Sequence, residues 1–193
     1  MPNIGLKQFT YGELTTEGND LAGCVYGTPE KLAGAIECKV SLNIAEATLY
    51  DDDVLDEKES VVTNGTITLG INEADDEIFA VLLGSNVKEI KDGAVVEVTS
   101  KTTDTAIPIG FGHIVTKIVK HQRKYKVEFF PKVTFKPFMQ DAKTKGESLE
   151  FTTPSVEGTI FPLKDGTWEK HATFDNETDA VTYLNSLFIG NNE

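Results

Sequence analysis

Apolar and polar positions alternate with almost no break from Lys124 to Lys136. The odd positions are Tyr125, Val127, Phe129, Pro131, Val133 and Phe135; the even ones are Lys124, Lys126, Glu128, Phe130, Lys132, Thr134 and Lys136. A period of two held for about a dozen residues predicts a β-strand with one buried face and one wet, basic face. Pro131 has no N–H to give a ladder, so in such a strand it belongs at a sheet edge or a bulge. An edge strand of that length calls for a partner.

The same periodicity places further strands. Ile36, Cys38, Val40 and Leu42 alternate with Glu37, Lys39 and Ser41, the pattern of a half-buried strand over residues 35–43. A second strand over 61–71 alternates Ile67, Leu69 and Ile71 with Thr66, Thr68 and Gly70, and the acidic segment between the two, residues 51–60, is expected to be a long loop. Strands are also expected at Val95–Thr99 and Ile107–Ile118, where Gly110 and Gly112 signal a bend or a close backbone approach. After a polar break at Gln140–Glu147, Leu149 and Phe151 resume the alternation. Strands then run through Ile160, turn at Asp165–Gly166 and continue from Trp168 to Phe174. Residues 1–34, rich in Gly, Thr and polar groups, read as an extended arm with loops.

Two segments switch to helical spacing. Glu73, Asp75, Asp76 and Glu77 precede Ile78, Val81 and Leu82, with Gly84 as the stop, so a short helix near 74–84 carries its carboxylates where the helix dipole favours them. Near the C-terminus Asn176 caps a helix over 175–189 with Asp179 at its third position. Ala180, Tyr183, Leu184, Leu187 and Phe188 form one apolar stripe, and Gly190 ends the helix. That stripe must lie on the preceding sheet. The fold class is mainly β with minor α: an antiparallel β-sandwich or β-barrel, with the C-terminal helix packed on the sheet and a second short helix.

Composition narrows the function classes. The 193 residues are 39% hydrophobic, enough for one ordinary core and hence one domain over 1–193. A net charge of −13 argues against gripping nucleic acid by phosphate neutralisation, which needs a surplus of Lys and Arg. Met1–Gly5 begins no secretory leader, and the longest apolar run, Ile78–Leu83, is too short to span a bilayer, so a soluble protein made in a cytoplasm is expected. In that reducing setting Cys24 and Cys38 are expected to be unpaired and partly buried.

Candidate chemistry is sparse. His113, His121 and His171 stand far apart without metal-helix spacing. The acidic run from Asp51 to Glu59 lacks the glycine and the regular oxygen spacing of an EF-hand loop. Lys143–Gly146 lacks the glycines that precede a phosphate-binding turn. No catalytic, cofactor-binding or metal-ligating residue is predicted, and no cofactor.

The order of short motifs is more telling. Tyr125, Phe130-Pro131-Lys132-Val133, Thr144-Lys145-Gly146-Glu147-Ser148-Leu149-Glu150-Phe151, Gly158-Thr159-Ile160, Asp165-Gly166-Thr167-Trp168 and Ala172-Thr173-Phe174, followed by Ala180, resemble the major tail proteins of long, non-contractile-tailed bacteriophages. Gly5-Leu6-Lys7, Leu14, Tyr26-Gly27-Thr28-Pro29, Gly34-Ala35, Leu49-Tyr50-Asp51-Asp52 and Leu83-Gly84 extend the resemblance over nearly the whole chain. The chain departs from that family in having Tyr183 where a Trp is frequent, and it stops at Glu193, where some members continue into an immunoglobulin-like domain.

The resemblance implies a structural virion protein, not an enzyme. Hexameric rings would stack into the tail tube through which double-stranded DNA passes without specific binding, with a tape measure protein and terminator or baseplate proteins as further partners. It places the protein in the phage tail, made in the host bacterial cytoplasm. Part of the acidic surplus is expected to face the lumen, where carboxylates let DNA slide. The face of Lys124, Lys126, Lys132 and Lys136 would meet either an acidic patch of an adjacent subunit or solvent. The other readings are a tube protein of a contractile tail or type VI secretion-like system, which shares the ring plan, and a carbohydrate-binding β-sandwich, against which the single Trp168 weighs.

Overall fold

The computed structural model describes residues 3–51, 54–91, 95–138 and 153–189. The polar break after Gln140, the strand expected around Leu149 and Phe151, and the stop at Gly190 lie outside the described residues. The described strands are β1 (Asn3–Thr16), β2 (Val25–Tyr26), β3 (Glu30–Ala33), β4 (Ala35–Asp51), β5 (Val54–Ile71), β6 (Asn86–Lys91), β7 (Val95–Thr99), β8 (Ile109–Val119), β9 (Gln122–Phe135), β10 (Ser155–Ile160) and β11 (Lys170–Phe174). The helices are α1 (Asp76–Leu82) and α2 (Glu177–Ile189).

The fold is mainly β, its main sheet antiparallel and ordered β2-β1-β8-β9-β10-β5-β4, with β3 also on β1 and β11 also on β9. Only Gly34 separates β3 from β4. Because β3 pairs with β1 and β4 with β5, this one broken strand joins the two ends of the sheet into a barrel. Asn72 fixes the break: its Oδ1 accepts from Gly34 N at 2.7 Å, and its own N–H donates to Gly34 O at 3.0 Å. A β-carbon on residue 34 would lie 2.4 Å from that Oδ1, so a larger residue there would displace the Asn72 amide and break this tie.

Two apolar cores occupy opposite sides of the barrel wall. Inside are Phe9, Leu32, Ile67, Leu69, Ile71, Ile109, Phe111, Phe130, Val133, Phe135, Val156 and Ile160, with Phe79 and Leu82 of α1. Asp75 caps α1 through its Oδ1, which accepts from the N–H of Glu77 and of Ile78, and Gly84 (φ +74°) follows the helix in the left-handed region. Outside, α2 lies over β2, β8, β9 and β11, with Ala180, Leu184 and Phe188 buried against Tyr26, Ile114, Val127 and Phe129. Its Asn176 cap is present: Oδ1 accepts from Asp179 N at 2.8 Å.

The structure corrects the reading of β9. Val127 and Phe129 face the outer core, whereas Val133 and Phe135 face the inner one, although all four are odd-numbered. The ladder to β8 steps from Phe111↔Phe130 to Ile109↔Val133, leaving one extra residue on β9. Pro131 therefore sits in a bulge and not at an edge, and the bulge exchanges the two faces of the strand. β9 is central: β8 lies along one side, while β11 (from Tyr125 to Phe129) and then β10 (from Val133 to Phe135) cover the other. The bulge falls where those two partners change over, and Pro131 O accepts from Tyr26 Oη at 2.9 Å.

Two further expectations change. Residues 3–34 are not an arm: β1 runs alongside β8, and Phe9, Leu14, Cys24, Tyr26 and Leu32 are buried. Hydrophobic alternation missed β1 because its register to β8 shifts between Lys7 and Thr10, around Gln8 (φ 58°), so that Leu6 and Phe9, three positions apart, both meet the inner core. The acidic segment at 51–60 is not a long loop either. From Val54 onward it belongs to β5, which continues the β4–β5 ladder outward to Asp51↔Val54. β6 pairs with β7 as a separate hairpin.

Candidate functional site

Among the described residues, no other strand pairs with the outer half of the β4–β5 hairpin. β10 pairs with β5 only as far as Gly65, so beyond Asn43↔Asn64 the hairpin is a two-stranded ribbon. At about 3.3 Å per residue the ribbon extends on the order of 30 Å. Its alternation is real, but Ile44 is 55% and Val61 54% exposed, because the sheet that would cover them ends at Gly65. Nearer the barrel Ile36 and Val40 are also exposed, and among the described strands β4 pairs with β5 alone. The half-buried strand expected at 35–43 is thus an edge strand with an uncovered apolar side.

Between β1 and the first half of β4 a cavity of about 420 Å³ opens among Leu6, Ile36, Cys38, Val40, His113 and Glu128. His113 and His171, distant in sequence, flank Glu128 in one row across β8, β9 and β11. His113 is buried, its Nε2 3.1 Å from Glu128 Oε2 and its ring stacked on Phe130, while its Nδ1 has no partner among the described residues. Lys126 Nζ donates to Glu128 Oε1 at 2.6 Å and lies 3.9 Å from Glu169, whose Oε1 is 3.2 Å from His171 Nδ1. Sequence spacing could not find this row, because only register sets residues on three strands side by side.

Its electrostatics favour a structural tie over catalysis. The hydrogen bond from His113 and then the Lys126 ammonium hold the Glu128 carboxyl down at about 2, although burial opposes them. A carboxylate held that low is a poor proton carrier at neutral pH. Burial, followed by the charges of Glu128 and Glu37, pushes the Cys38 thiol up to about 12, which leaves it protonated and a weak nucleophile. Among the described residues no group of three His, Cys, Asp or Glu side chains is placed to hold a metal. His121 lies in the β8–β9 turn.

The lysines of β9 find acids in their own chain, which corrects the expected basic face. Lys124 pairs with Asp175, Lys126 with Glu128, Lys132 with Glu17 at 2.6 Å, and Lys136 with Glu157. Cys24 and Cys38 are both free thiols, Cys24 buried and Cys38 half-buried. No described helix is long and apolar enough to cross a membrane. In comparisons with known proteins, no family model and no curated sequence matches the chain.

Proposed function

We propose that the protein is the repeating subunit of a tubular assembly, a major tail protein of the long, non-contractile phage type, in which hexameric rings stack around a DNA-conducting lumen. The observation that carries this reading is the bare β4–β5 ribbon. A two-stranded hairpin is marginal alone in water, and an unpaired edge is a template for another chain. A ribbon that leaves Ile44 and Val61 in solvent gains its packing when a second copy covers it. A heterologous contact of this sort closes into a ring where the rotation per subunit allows. The ordered motifs from Tyr125 to Ala180 favour the flexible-tail class of tube, and the charge of −13 suits a lumen through which DNA slides.

Negative-stain microscopy over a range of concentrations is expected to reveal rings or tubes with a central hole. I44K/V61K is expected to abolish them while leaving thermal unfolding of the monomer nearly unchanged. Particles that stay monomeric at every concentration, also with the tape measure and terminator proteins of the same phage, would sink the assignment.

A further inference from the structure

From Thr105 to Val127 the chain contains no Asp or Glu, yet it carries Lys117, Lys120, Arg123, Lys124 and Lys126 within a protein of net charge −13. Lys124 and Lys126 are paired, but among the described residues no acid lies within ion-pair distance of Lys117, Lys120 or Arg123. These three flank the β8–β9 turn, whose closing pair is Val119↔Gln122. Lys120 (φ 49°) and His121 (φ 65°) both sit in the left-handed region there. That geometry normally selects Asn-Gly, and other residues adopt it only at a conformational cost. A strained, cationic turn is therefore kept at this end of the barrel.

The opposite charge lies on the ribbon. Asp51, Asp56, Glu57 and Glu59 belong to its outer half, against Lys58 alone. Register places both features at one end: Gly65 faces Ile160 and Ile160 faces Val133, so β5 running outward from Gly65 travels the same way as β9 running back toward Gln122. In head-to-tail stacking the two ends of the barrel meet. A contact between two features of the same end is instead lateral.

We propose that the acidic β4–β5 ribbon of one copy docks on the basic β8–β9 turn of a second copy, as the lateral contact within a ring. The inference rests on the tube reading and names the surfaces that meet. Copies of charge −13 repel one another overall, so close approach needs local complementarity, which also sets register and rejects wrong pairings. Duplex DNA is the weaker candidate for the turn, because the acidic ribbon at the same end repels a polyanion.

Two charge-reversed chains test this: K117E/K120E/R123E and D56K/E57K/E59K, followed by sedimentation velocity and microscopy. Each alone is expected to raise the concentration for half-assembly at least tenfold. Their equimolar mixture should restore rings, because acidic ribbon again meets basic turn at alternate contacts. The smaller pairs K117E/R123E and E57K/E59K leave the left-handed residues untouched and serve if a triple variant unfolds. Wild-type rings that persist undiminished in either variant would overturn the docking and leave the tube reading standing. A wild-type chain that never assembles, alone or with its tail partners, would remove the tube reading itself. Retention of the wild-type monomer on duplex DNA, lost in K117E/K120E/R123E, would reassign the turn to nucleic acid.

Discussion

Glu128 sits between the buried imidazole of His113 and the ammonium of Lys126, its side chain 21% exposed. Its folded-state carboxyl is held at about 2 against an ordinary value of 4.5, so between those values the unfolded chain binds the extra proton. Stability from this group is therefore complete above about pH 4.5 and is lost as the pH falls toward about 2. At neutral pH the contribution is on the order of 3 kcal/mol. The variant E128Q is expected to be less stable by about that amount at pH 7, and to converge on the wild type as the pH approaches 2. Urea unfolding at a series of pH values checks this, and parallel stability curves for the two proteins would contradict it.

At the level of elements, α2 packs closely on β8 where that strand carries glycine. Gly12 pairs with Gly110, and the outward positions 110 and 112 of β8 are both glycine, so the wall is thin where Tyr26, Leu184 and Phe188 press on it. A β-carbon at residue 112 would lie 2.4 Å from Leu184 Cδ1 and 3.3 Å from Glu128 O. G112A is expected to cost about 1–3 kcal/mol by overpacking, and less than that in an L184A background, where the truncated side chain leaves room. A double-mutant cycle by chemical denaturation measures the coupling; strict additivity would mean that the methyl group is absorbed elsewhere. This contact was half legible in the sequence, since the two glycines signalled a close approach and the α2 stripe signalled burial. The element that joined them was not, because Tyr26 arrives from a segment whose composition read as loop. In β9 the proline announced a bulge or an edge, but the exchange of faces at that bulge depends on two cores, and a single strand's alternation cannot say which core each half meets. The ribbon failed for a related reason: Asp51–Glu59 is acidic enough to read as loop, while cross-strand pairing with β4 holds the backbone extended from Val54 onward. Nor could the sequence find the row of His113, Glu128 and His171, which exists only through register.

For the whole molecule, the decisive quantity is how many cations remain available to a polyanion. Lys7, Lys39, Lys124, Lys126, Lys132 and Lys136 are each paired with a carboxylate of the same chain. Releasing such a lysine to a phosphate exchanges one ion pair for another and strands a carboxylate near the DNA, so little is gained. Affinity for duplex DNA grows with the number of phosphates neutralised and the counterions released, and a net charge of −13 adds a long-range repulsion that low salt makes stronger. In the proposed lateral ring the basic turn would also be covered by the neighbouring ribbon, which removes a cationic patch that a free subunit offers. The protein is therefore expected to leave the mobility of a short duplex unchanged at about 50 mM salt, where phosphate-binding proteins hold most tightly, and to do so as subunit and as assembled tube alike. A shift seen only with subunits would locate binding in the uncovered turn and make assembly the step that switches it off. A shift seen with tubes, steepening as salt is lowered, would contradict a conduit through which DNA slides.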